Sequence, residues 1–373
     1  RLLPPRRTAR VARLKQGPVF AYLRPARRRV GETQPDMTLP GRKDAIPVSG
    51  PILITGAGGF IGSHLVELCV QRGYRVRAFV HYNALGKWGW LEESPVRDDV
   101  EVVAGDIRDF DSVFRAMQGC RTVFHLAALI GIPYSYVSPL AYLRTNVEGT
   151  YNVVEAARIR GDVERVLVTS TSETYGTAQR VPIDEDHPAV GQSPYSASKI
   201  GADQLALSYF RSFAAPVRVV RPFNTYGPRQ SARAFIPNVI SQILAGQRRL
   251  KVGNLTPTRD LTFVKDTVAG FLAIAGADGL DGTATNIGMH HEISMLDLLH
   301  KIAGLLGAEV EVEVEAQRVR PGDSEVERLV CDNARIRRLT DWAPAYDLDR
   351  GLAETIAWIK GHLDAFKPKV YSI

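Results

Sequence analysis

The sequence predicts an α/β protein: a doubly wound parallel sheet with helices on both faces, followed by a smaller C-terminal lobe. Three observations predict it. From Pro51 onward, short β-branched runs alternate with longer amphipathic ones, the pattern of parallel strands joined by crossover helices. Glycines at 56, 59 and 62 punctuate the first transition from apolar run to helical pattern. After Pro222 the composition shifts to loops rich in Gly, Pro, Asn and Arg broken by short helices. Hydrophobic residues make up 45% and charged residues 23% of 373 positions, so this is an ordinary globular chain, long enough for one large domain or two that share a cleft.

The elements follow in order. PILIT (51–55) reads as the first buried strand and 60–72 as the first helix. VRAFV, VEVVAG and RTVFHLAA supply three more strands, a helix follows over 140–160, RVLVTS is a strand, 195–213 a helix and VRVVRP the last strand of this half. EVEVEVE (309–315) is strand-like, and TATNIG (283–288) is placed to return to the sheet. The expected organisation is a basic extension over 1–47, a nucleotide-binding domain over 48–223 and a mainly substrate-binding domain over 224–373, with segments near 262–290 returning to the first domain.

Charge separates the extension from the body. The net charge of +7 divides into +9 over residues 1–47 and −2 over the remainder. The extension mixes Arg with Pro, lacks a sustained apolar face and is expected to be disordered. It has no apolar core of a secretory signal; its Arg-rich, acid-poor composition also fits an organelle transit peptide. Our reading is upstream sequence ahead of a start near Met37. Nucleic-acid binding is disfavoured because only Phe20 and Tyr22 accompany the arginines. No apolar run approaches the ~20 residues of a membrane span. Cys69, Cys120 and Cys331 are odd in number and widely spaced, which argues for a reducing, cytoplasmic setting and against a zinc site.

Three motifs carry chemistry. Gly56-x-x-Gly59-x-x-Gly62, between strand and helix, is a variant of the dinucleotide fingerprint of Rossmann-like folds, in which glycines let a pyrophosphate approach the helix N-terminus. The second strand ends in Val80-His81, without the carboxylate that accepts hydrogen bonds from the NAD ribose. His81 is either a loop residue or a partner for a 2′-phosphate, so NAD and NADP both stay open. Asp106 in GDIRD is placed beside the adenine, the alternative being a turn or helix-cap aspartate. Tyr195 and Lys199, four apart, share one helix face. A phenol of pKa ~10 becomes a usable base when an ammonium favours the phenolate. Finally, TSTSETYGTA (169–178) puts the carboxylate of Glu173 at the end of a buried strand, where it is unfavourable unless paired, solvated or used. His290 and His291 are adjacent and cannot readily share one ion, so no metal is expected.

With TGAGGFIG, GDIRD, HLAA, TSE-YG, YSASK, RPFNTYGPRQ, RDLTFVKD and RPGD in that order, the chain resembles the extended short-chain dehydrogenase/reductase family, the epimerases and dehydratases of nucleotide sugars. The resemblance runs from about Pro51 to Ile359. It implies a catalytic triad of Thr171, Tyr195 and Lys199, with Tyr195 taking the sugar's 4-hydroxyl proton. It implies cofactor contacts from Phe60 and Ile61, from Ile107, and from Leu126, Ala127 and Ala128, besides the residues already named. Asn224, Arg229, Arg259 and Arg320 match positions that bind the nucleotide diphosphate. Relatives with Thr-Ser-Glu here use the Glu to remove the C5 proton, so Glu173 implies a 4,6-dehydratase; Ser172 stands where many dTDP-glucose dehydratases have Asp. UDP-glucuronate decarboxylases share the pattern, and they and the 4-epimerases are the alternatives. The loops FVHYNALGKWGWLE and RPFNTYGPRQSARAFIP most resemble dehydratases of UDP- or GDP-N-acetylglucosamine in legionaminic-acid and related surface-polysaccharide pathways. A homodimer through the helices near 140–160 and 195–213, with no nucleic-acid or membrane partner, completes the expectation.

Overall fold

The computed structural model describes Ile46 and residues 50–368. Seven strands form the central sheet: β1 (Ile52–Thr55), β2 (Val76–His81), β3 (Val100–Gly105), β4 (Thr122–His125), β5 (Arg165–Thr169), β6 (Val217–Pro222) and β7 (Ala284–Ile287). Their order is β7-β6-β5-β4-β1-β2-β3, and every neighbouring pair is parallel. The order reverses between β1 and β4, which opens a crevice at their carboxyl ends, where open α/β sheets bind ligands.

Side chains of one strand alternate between two cores, as the period of two requires. Ile52 and Ile54 of β1 enter the core with Leu65 of α1 (Phe60–Gln71), while Leu53 enters the opposite one. α2 (Phe110–Ala116), α3 (Gly149–Arg160) and α4 (Pro194–Phe213) cover this second face, through Val113, Val153 and Ala206 among others. Leu167 of β5 faces the first core and Val166 and Val168 the second. Both faces being covered explains why these strands read as continuous apolar runs.

The helix expected over 140–160 comes in pieces: Pro139–Tyr142, a π-helical stretch Leu143–Glu148, then α3. After β6 the chain forms α5 (Phe235–Leu244), α6 (Val264–Gly276), α7 (Met295–Leu305) and α8 (Leu348–Gly361). Val239, Val268, Leu298 and Leu352 from these helices join the first core, so both halves of the chain share one apolar interior. The described residues cluster as one compact unit. The EVEVEVE segment provides Glu311–Val314, parallel to Arg249–Val252. Among the described residues no helix is long and apolar enough to cross a membrane.

The extension assigned to residues 1–47 lies outside the described residues except for Ile46, and there the boundary needs correcting. Ile46 is 1% exposed in the first core and donates its backbone N–H to the Tyr74 hydroxyl at 3.1 Å. An apolar side chain just ahead of β1 gains more by burial than a linker position would give it.

Candidate active site

The glycine turn is shaped by backbone crowding. Gly56 has φ +69°, and a Cβ there would stand 2.7 Å from the Ala127 nitrogen. At Gly62 a Cβ would meet the Gly56 carbonyl oxygen at 2.2 Å, so the helix sits against the turn only with glycine. Gly59 is different: inside the protein a Cβ would approach only the Gly56 oxygen, at 3.2 Å. Its far side lines a large cavity, and the space a side chain would take is there. Gly59 also caps α1 without any side-chain hydrogen bond, leaving the first-turn N–H groups at Phe60, Ile61 and Gly62 to an incoming anion. This donor set fits a dinucleotide pyrophosphate.

His125 braces the turn from below. Its Nδ1 lies 2.8 Å from the Thr55 hydroxyl and its Nε2 3.2 Å from the Thr150 hydroxyl. Thr150 donates to the Asn146 carbonyl and Thr55 accepts from the Ala127 N–H at 3.1 Å. The proton therefore sits on Nε2, and Nδ1 accepts from Thr55. Burial, with the Lys199 charge nearby, lowers the imidazole pKa to about 3. It stays neutral.

At the far edge of the cavity, exposed His81 ends β2 and pairs in register with Gly105, next to Asp106. Arg108 grips the Asp106 carboxylate and holds it below the usual aspartate range. Asp106 Oδ1 also accepts the Arg108 N–H at 2.9 Å, so the turn role and the cavity-lining position coincide. Ile107, Leu126, Ala127 and Ala128 continue the wall. Sequence reasoning used the loop after β2 for its resemblance but missed its contact with the glycine turn: Trp90 donates its N–H to the Gly58 carbonyl at 3.0 Å, and the Trp88 carbonyl closes over Gly58. The Gly58 and Gly89 pair was the available signal, since their backbones touch.

The catalytic candidates meet where β5 ends and α4 begins. The Thr171 hydroxyl accepts the Glu173 N–H at 3.2 Å, capping a 3-10 turn over Ser172–Tyr175. Ser193 and Ser196 form a capping box that starts α4 at Pro194, which delivers Tyr195 to the Thr171 side chain as a hydrogen-bond partner. Burial pushes the Tyr195 phenol upward, with the Thr171 hydrogen bond opposing and Glu173 adding to the rise. The expected lowering of the phenol toward neutral pH is not met, because burial outweighs the groups that favour the phenolate. Lys199 donates to the Thr169 carbonyl, and burial lowers its pKa to about 8 against the opposing pull of Asp203. Ser172 is buried and Glu173 is 8% exposed, both lining the cavity.

The substrate-side candidates divide. Asn224 lines the cavity with its Oδ1 buried and unpartnered, as does the unforeseen Gln230 with its Oε1; such acceptors await donors. Arg259 and Arg320 converge on one carboxylate, Glu325, each at 3.2 Å. Arg229 also borders the cavity, but its guanidinium is engaged elsewhere: it pairs with Glu67 of α1 at 2.7 Å and donates to the Ser63 hydroxyl at 3.2 Å. These contacts tie the loop after β6 to α1.

Gly59, Asp106, Thr171, Glu173, Tyr195, Lys199, Asn224, Arg229, Arg259 and Arg320 all border one cavity of about 1550 Å³, more than a single drug-sized ligand needs. The family model described as GDP-mannose 4,6 dehydratase matches residues 53–355. The dTDP-glucose 4,6-dehydratase of Streptomyces griseus is 35% identical over 323 residues, 86% of this chain and 97% of that one. A UDP-glucose 4-epimerase of Mycolicibacterium smegmatis is 34% identical over 312 residues, 83% of this chain and 98% of the relative. DesIV, the dTDP-glucose 4,6-dehydratase of Streptomyces venezuelae solved with NAD bound, superposes with a TM-score of 0.77 at 28% identity, covering 85% of this chain and 99% of that one. With that family model matching residues 53–355, the chain belongs to the GDP-mannose 4,6 dehydratase family of extended short-chain dehydrogenases/reductases.

Proposed function

We propose that this protein is an NAD-dependent nucleotide-sugar 4,6-dehydratase acting on UDP- or GDP-N-acetylglucosamine, a cytoplasmic homodimer that supplies a surface-polysaccharide pathway of the legionaminic-acid type. The observation that carries this reading is Glu173, a buried carboxylate facing the cavity one short turn from Thr171 and Tyr195. Simple epimerisation at C4 has no use for it. The hexosamine part rests on the resemblance of two loops, and both loops line the cavity, through Asn83, Lys87 and Trp88 and through Asn224 to Ile236.

When bound, NAD would accept hydride from C4 of the sugar and return it at C6. The chain's own groups do the rest. The first-turn N–H groups of α1 hold the pyrophosphate beside Gly59. Thr171 and Tyr195 hold the 4-hydroxyl, and Tyr195 takes its proton. The resulting ketone acidifies C5, whose proton passes to Glu173; the C5–C6 double bond forms as the C6–O bond breaks. Ser172 is a poor acid, so Glu173 hands that proton to the departing hydroxyl, which leaves as water, and C5 takes a proton from solvent as C6 is reduced. Arg259 and Arg320 bind the diphosphate.

Incubation of the protein with UDP- and GDP-N-acetylglucosamine, read by mass spectrometry, tests the proposal: the product is lighter by one water. Release of carbon dioxide when UDP-glucuronate is supplied in their place, or a product of unchanged mass, assigns the decarboxylase or the epimerase instead.

A further inference from the structure

The carboxylate of Glu325 lies among the cationic groups that would receive a substrate's phosphates. A single oxygen, Oε1, accepts from Arg259 Nη2 and from Arg320 Nη1, both at 3.2 Å. The Arg259 and Glu325 side chains are 8% and 11% exposed. Arg259, Arg320 and Glu325 all border the same cavity. Burial and the neighbouring Arg320 work against the Arg259 charge, and Glu173 and Glu325 work for it. An anionic oxygen shared by two guanidiniums is the arrangement a phosphate takes in an arginine clamp.

The backbone that carries Glu325 is pinned on several sides. Its N–H bonds to the Pro321 and Gly322 carbonyls. Its carbonyl accepts from Thr177 and Gln192, and the neighbouring Ser324 hydroxyl meets the Tyr136 hydroxyl at 2.6 Å. The Glu325 side chain can change rotamer without moving this segment. Two arginines and one carboxylate leave a single net positive charge, whereas the diphosphate of a nucleotide sugar brings two negative ones.

We propose that Glu325 is the resident counter-ion of the diphosphate seat: it occupies the two guanidiniums before substrate arrives, and a nucleoside diphosphate binds by displacing it from both. The inference rests on the nucleotide-sugar reading. It explains how the cleft keeps two cations poised although they repel one another. It also explains selectivity, because a small monoanion such as chloride would merely exchange one negative charge for another.

Isothermal titration of the full chain with UDP, GDP and dTDP at low ionic strength tests this. In Glu325→Gln the diphosphate that the native protein binds should bind ~10-fold tighter, the effect of removing one competing charge at contact range. Affinity for NAD should be unchanged, the ligand-free variant should melt lower because two guanidiniums lose their shared carboxylate, and added chloride should erase the gain in the variant while affecting the native protein less. A scaffold role for Glu325 predicts the opposite sign, so equal or weaker diphosphate binding by a folded Glu325→Gln overturns the proposal. If that variant does not fold, Glu325→Asp serves: its shorter side chain cannot span both guanidiniums, tighter binding supports displacement, and weaker or unchanged binding overturns it. Failure of the native protein to bind any of the three diphosphates, by contrast, overturns the nucleotide-sugar reading itself.

Discussion

Glu173 and His125 show how two buried titratable groups serve different ends. Glu173 is held by its own turn and faces ligand space. Glu173→Gln keeps size and shape, so nucleotide and cofactor binding should persist while turnover falls by roughly 10²–10⁴, the usual contribution of a positioned base. In heavy water the native product should carry deuterium at C5; wild-type turnover by the variant would remove Glu173 from the chemistry. His125 faces only threonines and is kept neutral in the fold, its pKa lowered from 6.5 to about 3. Between those values the unfolded chain binds more protons than the folded one, so stability falls as pH drops through 6.5 toward 3. His125→Asn should flatten the pH dependence of unfolding free energy in that window by up to ~1.4 kcal/mol per pH unit, one proton's worth; urea melts at pH 4, 5 and 6 measure it. Thr171, Glu173, Tyr195 and Lys199 were legible because each lies in a short motif. The Arg229 pairing with Glu67 and the Arg259–Glu325–Arg320 cluster were not, since they join segments far apart in the chain and a single sequence does not report who meets whom.

Whole elements were legible where period and length are strong. The six strands before Pro222 were apolar runs bounded by turn residues, and α1 and α4 begin at clear glycine and serine-proline signals. The π-helical stretch Leu143–Glu148 inside the expected 140–160 helix has no such signature, because one widened turn barely disturbs the apolar spacing. Nor do pairings of two or three residues, such as Ile293–Ser294 with Thr258–Arg259, which are too short to show alternation. That same helical stretch leaves Leu140, Leu143 and Tyr151 exposed, with Phe210 and Phe213 exposed on α4. Exposed apolar side chains on two adjoining helices suit a partner helix pair, and this is the face on which we expect the homodimer. Light scattering at micromolar concentration should give a dimer, and Leu143→Glu, which puts a charge into that surface, should give a folded monomer with native circular dichroism. A native protein that is monomeric, or a variant that stays dimeric, would place the interface elsewhere.

At the scale of the molecule, charge and core divide the chain at slightly different points. The basic excess ends with the extension and the remainder is nearly neutral, so composition drew the line after residue 47. The interior draws it earlier: Ile46 is buried with Ile52, Leu65 and Val76 and tied to Tyr74, a contact invisible to charge counting because one isoleucine hardly changes a segment's composition. The active-site cavity is built on the strand that follows, so the entry of the chain into the core bears on the stability of the site without touching its chemistry. Truncation separates the two boundaries. Removing residues 1–44 deletes the arginine-rich text and keeps Ile46; melting temperature and turnover should match those of the full chain. Removing residues 1–46 also deletes a fully buried side chain, a loss of about 2–5 kcal/mol by analogy with large-to-small core substitutions, and should lower the melting temperature by several degrees while leaving the catalytic constants of the folded fraction unchanged. Equal melting temperatures for the two truncations would show that Ile46 contributes nothing to the core, and loss of activity in the shorter deletion would show that the basic segment takes part in the reaction.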